Sequence, residues 1–336
     1  MKFTAVQMIG TQRSGSNLLR LMLNQLPQVS APHPPHILER FMPLLPMYED
    51  LRLPNHFKNL AADVCELIAS NPVAWTGVEP NVNRIISHCK ENTLLELTRV
   101  LYEEKARSEE ATVWICKSMV NIHYAGVLEA SLQPLYIFLY RDGRDVALSF
   151  QKAVVGEKHI YNIAKQWKEE QDKCLKLQEY LHDERFIAVC YEELIHHPEQ
   201  ELRRICTFLG VVYHDECLQY YHSKEAGNTA SSGAMWQHVK EKVLPHNYNK
   251  FLTQLAADEI ELFEKVAGTT LLQLGYSLYF PNGWQQPLSG EEIEAYSLLN
   301  KQLKKEAKQN QAPEDAAKRK RQEALLNRLA AQMKTY

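Results

Sequence analysis

The residues best suited to chemistry lie near the N-terminus, in the segment 9–17, IGTQRSGSN. An apolar stretch precedes this segment and a leucine-rich stretch follows it, so the pattern predicts a strand, a tight turn and a helix beginning near Ser16. Gly10 and Gly15 permit the sharp turn, backbone N–H groups then point inward, and the helix N-terminus adds partial positive charge. The segment therefore predicts a phosphate-binding loop, with a glycine turn that binds no ligand as the alternative.

The same loop argues against hydrolysis of a nucleoside triphosphate. A nucleoside-triphosphatase loop reads G-x-x-x-x-G-K-S/T, in which the lysine contacts the β- and γ-phosphates and the hydroxyl binds Mg²⁺. Here Ser16 and Asn17 follow the second glycine, and the cation, Arg13, lies inside the loop. A guanidinium offers two hydrogen bonds to an oxyanion, which suits group transfer that needs no metal.

A second basic segment follows a predicted buried strand. Residues 135–140, LYIFLY, are apolar and rich in β-formers, and the sequence RDGRD and a predicted helix follow directly. Arg141 at the end of the strand and Ser149 in the helix would lie near the crevice where open parallel sheets bind ligands. They predict a site for a second phosphate. The alternative is a surface charge, with Arg141 paired to Asp145.

Together the two segments resemble the phosphosulfate-dependent sulfotransferases. The 5′-phosphosulfate loop of that family, x-P-K/R-S-G-T/S-T/S-x-L, is matched by residues 11–19, with Gln12 in place of proline. Its 3′-phosphate motif, R-D-P-R-D-x-x-x-S, is matched by residues 141–149, with Gly143 in place of proline and the same spacing from arginine to serine. These replacements alter the stiffness of the loops more than the chemistry of ligand binding.

The resemblance extends along most of the chain and implies a fold. Residues 186–194 resemble the strand of the family that ends in Y-E-D/E-L, whose tyrosine, Tyr191 here, lies near the adenine. A later helix that opens at Leu252 ends in a sequence similar to the L-x-x-L-G-Y of bacterial-type members, so the resemblance covers residues 2–280. It implies an α/β fold of three layers, α/β/α, with a central parallel sheet similar to that of P-loop nucleoside triphosphatases.

The resemblance also implies a donor, 3′-phosphoadenosine 5′-phosphosulfate (PAPS), and transfer of its sulfuryl group to an acceptor without a metal ion. Sulfuryl transfer parallels phosphoryl transfer, in which catalysis is mainly positioning and neutralisation of charge. Arg13 and the loop N–H groups are expected to supply that neutralisation. Lys117, which follows the predicted strand 113–116, is the second catalytic cation, or else an exposed lysine at a strand end. The donor-binding residues implied are Arg13, Ser14, Gly15, Ser16, Asn17, Arg141, Ser149 and Tyr191.

The general base departs from the best-known pattern of the family. Cytosolic sulfotransferases place a catalytic histidine two residues after the strand-end lysine, where this chain has Met119. Tyrosylprotein sulfotransferases use a glutamate after the first helix, and the corresponding position falls near His33. An imidazole that titrates near neutral pH suits the removal of a hydroxyl proton. His33 is therefore the predicted base, and His36, Glu39 and His123 are the alternatives.

Composition limits the other classes of function. The chain of 336 residues has a formal net charge of −3, which gives no broad electrostatic reason to bind nucleic acid or an anionic membrane. No segment is long and apolar enough to span a bilayer, and the N-terminus lacks the apolar region of a signal peptide. The seven cysteines are scattered and odd in number, which is typical of free thiols. We therefore expect a cytoplasmic protein.

Two irregular segments are expected to contact the substrates. In the family, the segment corresponding to residues 31–57 lines the acceptor site, and the Gly- and Ser-rich loop 227–236 covers the 3′-phosphate. The first segment is rich in apolar side chains, which favour a small apolar or lipid acceptor with a hydroxyl, unless they belong to the core. These side chains are Ile37, Leu38, Phe41, Leu44, Leu45, Met47 and Phe57.

Residues 1–285 are predicted to form the sulfotransferase domain, and residues 286–336 a charged helical extension. A capping box at Ser289 opens one helix, and a second helix restarts at Pro313. The favoured interpretation is a solvated, partly frayed extension. The alternative is a surface for a partner or for a homodimer.

Two other functions fit parts of the sequence. A small-molecule kinase on the same fold would need a Walker-type lysine and a carboxylate for Mg²⁺, neither of which the sequence identifies. A nucleotide-binding or scaffold protein without catalytic activity would have no need for Arg13, Lys117 and Arg141. The sequence therefore favours a sulfotransferase.

Overall fold

The computed structural model describes residues 2–281 and 287–333. Five parallel strands form one sheet in the order β2-β3-β1-β4-β5, which confirms the predicted central parallel sheet. The strands are β1 (Thr4–Gly10), β2 (Val29–Ser30), β3 (Val113–Cys116), β4 (Leu135–Tyr140) and β5 (Phe186–Cys190).

Helices connect the strands and follow the last of them. The α-helices are α1 (Ser16–Leu23), α2 (Ile37–Phe41), α3 (Pro54–Ala69), α4 (Val82–His88), α5 (Leu94–Ser108), α6 (Ala125–Ser131), α7 (Gly143–Lys152), α8 (Ile160–Tyr180), α9 (Tyr191–His196), α10 (Pro198–Leu209), α11 (Lys224–Ser231), α12 (Phe251–Gln254), α13 (Ala257–Gln273), α14 (Gly290–Gln309) and α15 (Pro313–Met333). Shorter 3₁₀ segments cover Met42–Tyr48, Met119–Tyr124, Asp215–His222 and Ala234–Lys240.

Alternation of side chains along the strands creates the three predicted layers. Val113 and Ile115 of β3 pack in a cluster with α1 and α10, whereas Trp114 and Cys116 pack on the opposite face with α3 and α5. The side chains of β4 alternate in the same way. Ile137 and Leu139 pack in the cluster with α1 and α10, whereas Tyr136 and Phe138 pack on the opposite face of the sheet against α8. Because both faces are covered, the strands are apolar at nearly every position.

The strand order creates a crevice at the carboxyl edge of the sheet. From β1 the chain passes to β2 and β3 on one side and then returns to β4 and β5 on the other. Ligands of open α/β sheets bind where the connections diverge in this way, beyond the carboxyl ends of the strands. The residues that follow those ends are the loop 11–15 after β1, Lys117 after β3, Arg141 after β4 and Tyr191 after β5.

The predicted Gly- and Ser-rich loop 227–236 is largely helical instead. Helix α11 begins after Ser223, whose Oγ accepts a hydrogen bond from the backbone N–H of Ala226 at 3.1 Å. Thr229 and Ala230 then bury one face of this helix. An N-terminal cap and small buried side chains therefore outweigh the low helix propensity of glycine and serine.

The single helix predicted from Leu252 is interrupted. One turn forms α12, the backbone becomes extended at Leu255, and α13 begins after Ala256. The carboxylate of Glu259 accepts a hydrogen bond from the Ala256 N–H at 3.0 Å, which satisfies a donor at the new helix start. The break places Phe251 and Leu255 in the core beside Phe263.

The extension is helical, as predicted, but it is not a solvated, frayed segment. Ser289 Oγ accepts from the Glu292 N–H and Glu292 accepts from the Ser289 N–H, so the predicted capping box opens α14. Leu325 and Leu329 of α15 are 2% and 0% exposed in the cluster formed with α3 and α5. The predicted domain boundary between residues 285 and 286 lies outside the described residues.

Ion pairs reinforce this packing of α15. Arg328 lies 3.0 Å from Asp63 and 2.7 Å from Glu66, both on α3. These pairs are partly exposed and contribute little alone, so the buried leucines carry most of the attachment. Among the helices of residues 2–281 and 287–333, none is long and apolar enough to cross a membrane.

Replacement of Leu329 tests whether the extension belongs to the cooperative core. We expect Leu329→Ala to lower the free energy of unfolding by about 2–5 kcal/mol, because a fully buried leucine is truncated. The control is Leu298→Ala on α14, whose side chain is 58% exposed and whose change we expect to stay within about 0.5 kcal/mol. Urea unfolding measures both, and equal small effects would mean that α15 frays independently.

Candidate active site

The loop after β1 has the shape that the sequence predicted. Gly15 has a φ of +88°, and a Cβ there would lie 2.3 Å from the ring of Tyr191, so no larger residue fits. Arg13 also adopts a positive φ, of 72°, which costs a non-glycine residue about 1–3 kcal/mol. Gln171 of α8 supports the loop by donating a hydrogen bond to Thr11 Oγ1 at 2.8 Å.

This loop borders a cavity of about 470 Å³ at the carboxyl edge of the sheet. Ser14 is the one predicted site residue of the loop that does not line this cavity, because its side chain is fully buried beneath the loop. The predicted residues that do line the cavity are Arg13, Gly15, Ser16, Asn17, Lys117, Arg141, Ser149 and Tyr191.

A direct contact joins the two predicted phosphate motifs. Arg13 Nε donates a hydrogen bond to Ser149 Oγ at 3.0 Å, across a separation of more than a hundred residues. Burial and, to a lesser extent, the positive charge of Arg141 lower the pKa of Arg13 to about 10. The two motifs therefore form one site in which cations face each other.

Arg141 is held inside this cavity rather than at the surface. Its guanidinium lies 4.4 Å from the ring centroid of Tyr191 and donates to the backbone oxygens of Arg13 and Asn247, at 3.4 and 2.9 Å. Asp145 lies 3.6 Å away, so the alternative pairing also exists, but it is buried. Nε of Arg141 is buried without a hydrogen-bond partner. The cation is therefore positioned yet incompletely satisfied.

The second arginine of the same motif has a structural role. Arg144 donates to both carboxylate oxygens of Asp142, at 3.0 and 2.7 Å, and pairs with buried Glu264 of α13. Its guanidinium also lies 4.2 Å from the ring centroid of Phe251. Arg144 therefore fastens α7 to α12 and α13, and of the two arginines of this motif only Arg141 lines the cavity.

Lys117 is buried, contrary to the alternative of an exposed strand end. Its residue surface is 8% exposed and it lines the cavity with Arg13. Burial lowers the pKa of the Lys117 ammonium to about 7, and the charges of Arg20 and Arg13 contribute to that shift. Arg20 itself is neutralised from the other side by Glu225 at 3.0 Å. A charged Lys117 is therefore costly unless an anion lies beside it.

A second cavity of about 340 Å³ adjoins the first. The side chains that line it are mostly polar or charged, including Glu39, Arg40 and Arg319. The residues that line both cavities are Gln12, His36, Lys117, Val155 and Trp236. A group in the second cavity therefore lies beside Lys117, which also borders the first.

The apolar residues predicted for the acceptor site do not line either cavity. They are buried in, or packed against, the core cluster that α3 and α5 form beneath the sheet, because the short helix α2 turns its apolar face inward. The expectation of an apolar acceptor loses its support accordingly. The residues concerned are Ile37, Leu38, Phe41, Leu44, Leu45, Met47 and Phe57.

The four predicted base positions differ in their access to the cavities. His36 lines both cavities, and its Nδ1 lies 3.2 Å from Glu39 and 3.2 Å from Ser118 Oγ. His33 lines only the second cavity, where its ring packs edge-on against Trp236 at a centroid distance of 5.5 Å. Glu39 also lines only the second cavity.

The fourth position, His123, lies apart from the others. It contacts Lys173 at 2.7 Å and lines neither cavity. Burial lowers the pKa of His36, which Glu39 opposes, and lowers that of His33 well below its usual value of 6.5. Both remaining imidazoles are therefore neutral at neutral pH and able to accept a proton.

Sequence reasoning missed several residues that complete the site. Asn247 donates a hydrogen bond to the Tyr191 hydroxyl at 2.6 Å, and no motif marks it. Trp236, at the end of the loop expected to cover the 3′-phosphate, lines both cavities. Arg319 reaches the second cavity from α15, and the basic run 318–321 was the only signal for it.

Comparisons with known proteins bear on the family and the fold. The profile described as "Sulfotransferase family" matches residues 6–215. The sulfotransferase domain from the Synechococcus PCC 7002 olefin synthase is 22% identical with a TM-score of 0.53, over 83% of this chain and 97% of that one. The sulfotransferase domain from the curacin biosynthetic pathway is 21% identical with a TM-score of 0.52, over 83% of this chain and 99% of that one. No curated protein sequence matched.

The family profile and the similarity of fold both identify sulfotransferases. The profile spans most of the chain, including the loop after β1 and the motif after β4. The two solved domains share the α/β fold with its central parallel sheet, at identities that speak to the fold alone. The chain belongs to the sulfotransferase family.

Proposed function

We propose that this sulfotransferase uses PAPS as its donor and transfers the sulfuryl group to a hydroxyl of a small-molecule acceptor without a metal ion. Sulfotransferase acceptors are in general small molecules. The donor would occupy the cavity that borders Arg13, and the acceptor the adjoining cavity of about 340 Å³.

The observation that carries this proposal is the group of cations Arg13, Lys117 and Arg141 around one cavity. Burial and mutual repulsion lower the pKa of Arg13 and of Lys117, so their charged forms are destabilised until an anion arrives. Nε of Arg141 is buried without a hydrogen-bond partner. These groups fit a ligand that carries several oxyanions, as PAPS does.

Each donor-binding residue has a proposed place on that ligand. The N–H groups of the loop after β1 and the Arg13 guanidinium would hold the 5′-phosphosulfate. Arg141 and Ser149 would hold the 3′-phosphate, and Tyr191 would lie near the adenine. The hydrogen bond from Arg13 to Ser149 supports this arrangement because it brings the two groups of residues together.

The chain supplies charge neutralisation and a proton acceptor. When bound, PAPS supplies the sulfuryl group and departs as 3′-phosphoadenosine 5′-phosphate (PAP). Arg13 and Lys117 would neutralise the charge that accumulates at the leaving phosphate. Arg13 is held before the reaction by its hydrogen bond to Ser149, and Lys117 by its burial, so little reorganisation is needed.

His36 is the better-supported base, and His33, the predicted one, stays the alternative. His36 lines both cavities together with Lys117, whereas His33 lines one. The Glu39 carboxylate beside Nδ1 favours the tautomer with its proton on Nδ1, which leaves Nε2 to accept the acceptor's proton. The positive φ of His36, 60°, is a strained conformation of the kind that clusters at functional sites.

Two further predictions stay proposals. We retain the cytoplasm as the location, supported by seven cysteines that are all free. We also retain the division into a sulfotransferase domain, residues 1–285, and a helical extension, residues 286–336. The family match at residues 6–215 lies within the first part.

Binding of the donor product tests the donor class. We expect PAP to bind without Mg²⁺ and more tightly than ATP, and Arg141→Ala to weaken binding by about 2 kcal/mol, because charge-assisted hydrogen bonds are lost. The matched control is Arg203→Ala on the exposed face of α10, which should leave the affinity unchanged. Isothermal titration calorimetry measures all of them. Preference for Mg·ATP would instead assign the protein to the kinases.

The pKa of Lys117 predicts a pH dependence of this binding. Lys117 is protonated below pH 7 and loses its proton above it in the free protein, and an anion beside it raises its pKa again. Binding should therefore take up a proton above pH 7, and the affinity for PAP should fall as the pH rises from 7 to about 9. Calorimetry in two buffers of different ionisation enthalpy measures the uptake.

Lys117→Met is the control for this pH dependence. The ligand's own titration is the same in both proteins, so the difference in proton uptake belongs to the lysine. Equal proton uptake by wild type and variant above pH 7 would contradict the assignment.

Substitution of the two histidines identifies the base. We expect His36→Asn to lower kcat by about 10²–10⁴, the usual contribution of a general base, with PAP affinity unchanged. His33→Asn should have a much smaller effect on kcat. Steady-state kinetics with the best acceptor of an alcohol and phenol screen measures both. The reverse ranking would return the role to His33.

A further inference from the structure

Part of the wall of the second cavity comes from the extension. Arg319 and Gln322 of α15 line this cavity together with Arg40 of α2. Helix α15 lies outside residues 6–215, which the family profile matches. The packing of Leu325 and Leu329 in the core fixes the helix in this position. Arg319 and Gln322 therefore contribute to the second cavity but do not line the first.

Arg319 is anchored between aromatic and acidic neighbours. Its guanidinium carbon lies 5.1 Å from the ring centroid of Trp236, and the Trp236 ring also packs against the ring of His33. Burial lowers the pKa of Arg319, and the carboxylates of Asp315 and Glu323 on the same helix oppose that shift. Nε of Arg319 is buried without a hydrogen-bond partner. The side chain is therefore held in place while its Nε–H group donates no hydrogen bond.

Two other buried donors in this cavity lack partners. They are Nη1 of Arg40 and Nε2 of Gln322, and the Gln322 residue is only 5% exposed. Burial lowers the pKa of Arg40, the charge of Glu39 opposes that shift, and the charge of Arg319 adds to it. The two guanidinium groups therefore repel each other across a shared space.

Among the described residues, the carboxylates of the same cavity accept no hydrogen bond from Arg40 or Arg319. Glu39 lies 3.2 Å from His36 Nδ1, and Glu157 accepts a hydrogen bond from Lys304 at 2.8 Å. The charge of Glu39 opposes the lowering of the Arg40 pKa, but it leaves Nη1 of Arg40 without a partner. Buried donors without partners destabilise a protein, whereas a ligand with several acceptor oxygens would satisfy them together.

We propose that Arg319, Gln322 and Arg40 bind an oxyanion group of the acceptor, so that the acceptor is a hydroxylated acid rather than a neutral apolar molecule. The inference rests on the proposed function, because it assigns the second cavity to the acceptor. Guanidinium groups match the planar geometry of carboxylate and the oxygens of phosphate, and either group carries the required charge. Arg319 thereby determines acceptor specificity from outside the family-matched region.

Paired ligands test the proposal once the first cavity is saturated with PAP. Phenols and alcohols of graded length are titrated, each as the carboxylate, as the phosphate monoester and as the neutral methyl ester. We expect an acid to bind about tenfold or more tightly than its ester, as loss of a charge-assisted hydrogen bond implies. Comparison of the carboxylate and phosphate arms identifies which oxyanion the cavity prefers.

Arg319→Gln should reduce this preference to within about twofold, since the charge is removed. Arg319→Lys should retain part of it, and Arg321→Gln, an exposed position on the same helix, should leave it unchanged. Thermal unfolding verifies that each variant is folded. Equal affinity for acid and ester in the wild type, no binding of any acid, or a full preference in folded Arg319→Gln would overturn the inference. The calorimetric titration with PAP tests the proposed donor separately. A failure of the proposed function is therefore distinguishable from a failure of the proposed oxyanion site.

Discussion

Repulsion among buried cations is the constraint on which the site depends. Arg13, Lys117 and Arg141 follow three different strands, and a parallel sheet brings the carboxyl ends of those strands to one edge. Burial removes the water that would screen these charges, which is why the pKa values of Arg13 and Lys117 are depressed. The folded protein therefore holds a site that is electrostatically incomplete without an anion, and binding of an anion stabilises the fold as well as the complex.

Two other buried arginines are paired with carboxylates and line neither cavity, which distinguishes a structural role from a site. Arg20 donates to Glu225 and Thr229 of α11, although its Nε has no partner, and Arg144 pairs with Asp142 and Glu264. Arg20 thereby joins α1 to α11, and Arg144 joins α7 to α13. A buried arginine that is paired in this way and borders no cavity fastens elements together, whereas one with an unused donor and a cavity beside it is available to a ligand.

Local pattern predicted much of the fold and the donor side of the site. Strands β3 and β4 have the predicted bounds, because short apolar runs end at polar residues there. The pattern could not show that His36 lines both cavities and His33 only the second, since that depends on a left-handed backbone at one residue of a proline-rich segment. Nor could it find Arg319, which reaches the site through packing between residues far apart in the chain. Contacts of that kind have no local signal.

The extension organises the acceptor side from two directions. Asn300 of α14 accepts hydrogen bonds from the backbone N–H groups of Lys158 and His159, at 2.8 and 3.0 Å, and donates to Glu157, a residue of the second cavity. Helix α15 brings Arg319 to the same cavity. The cations of the first cavity, by contrast, all lie within the residues that the family profile matches. Under the proposed function, the cations that bind the donor lie within the family-matched residues and part of the acceptor cavity lies in the extension, so substitutions in the extension should change the acceptor while the residues proposed for sulfuryl transfer stay in place.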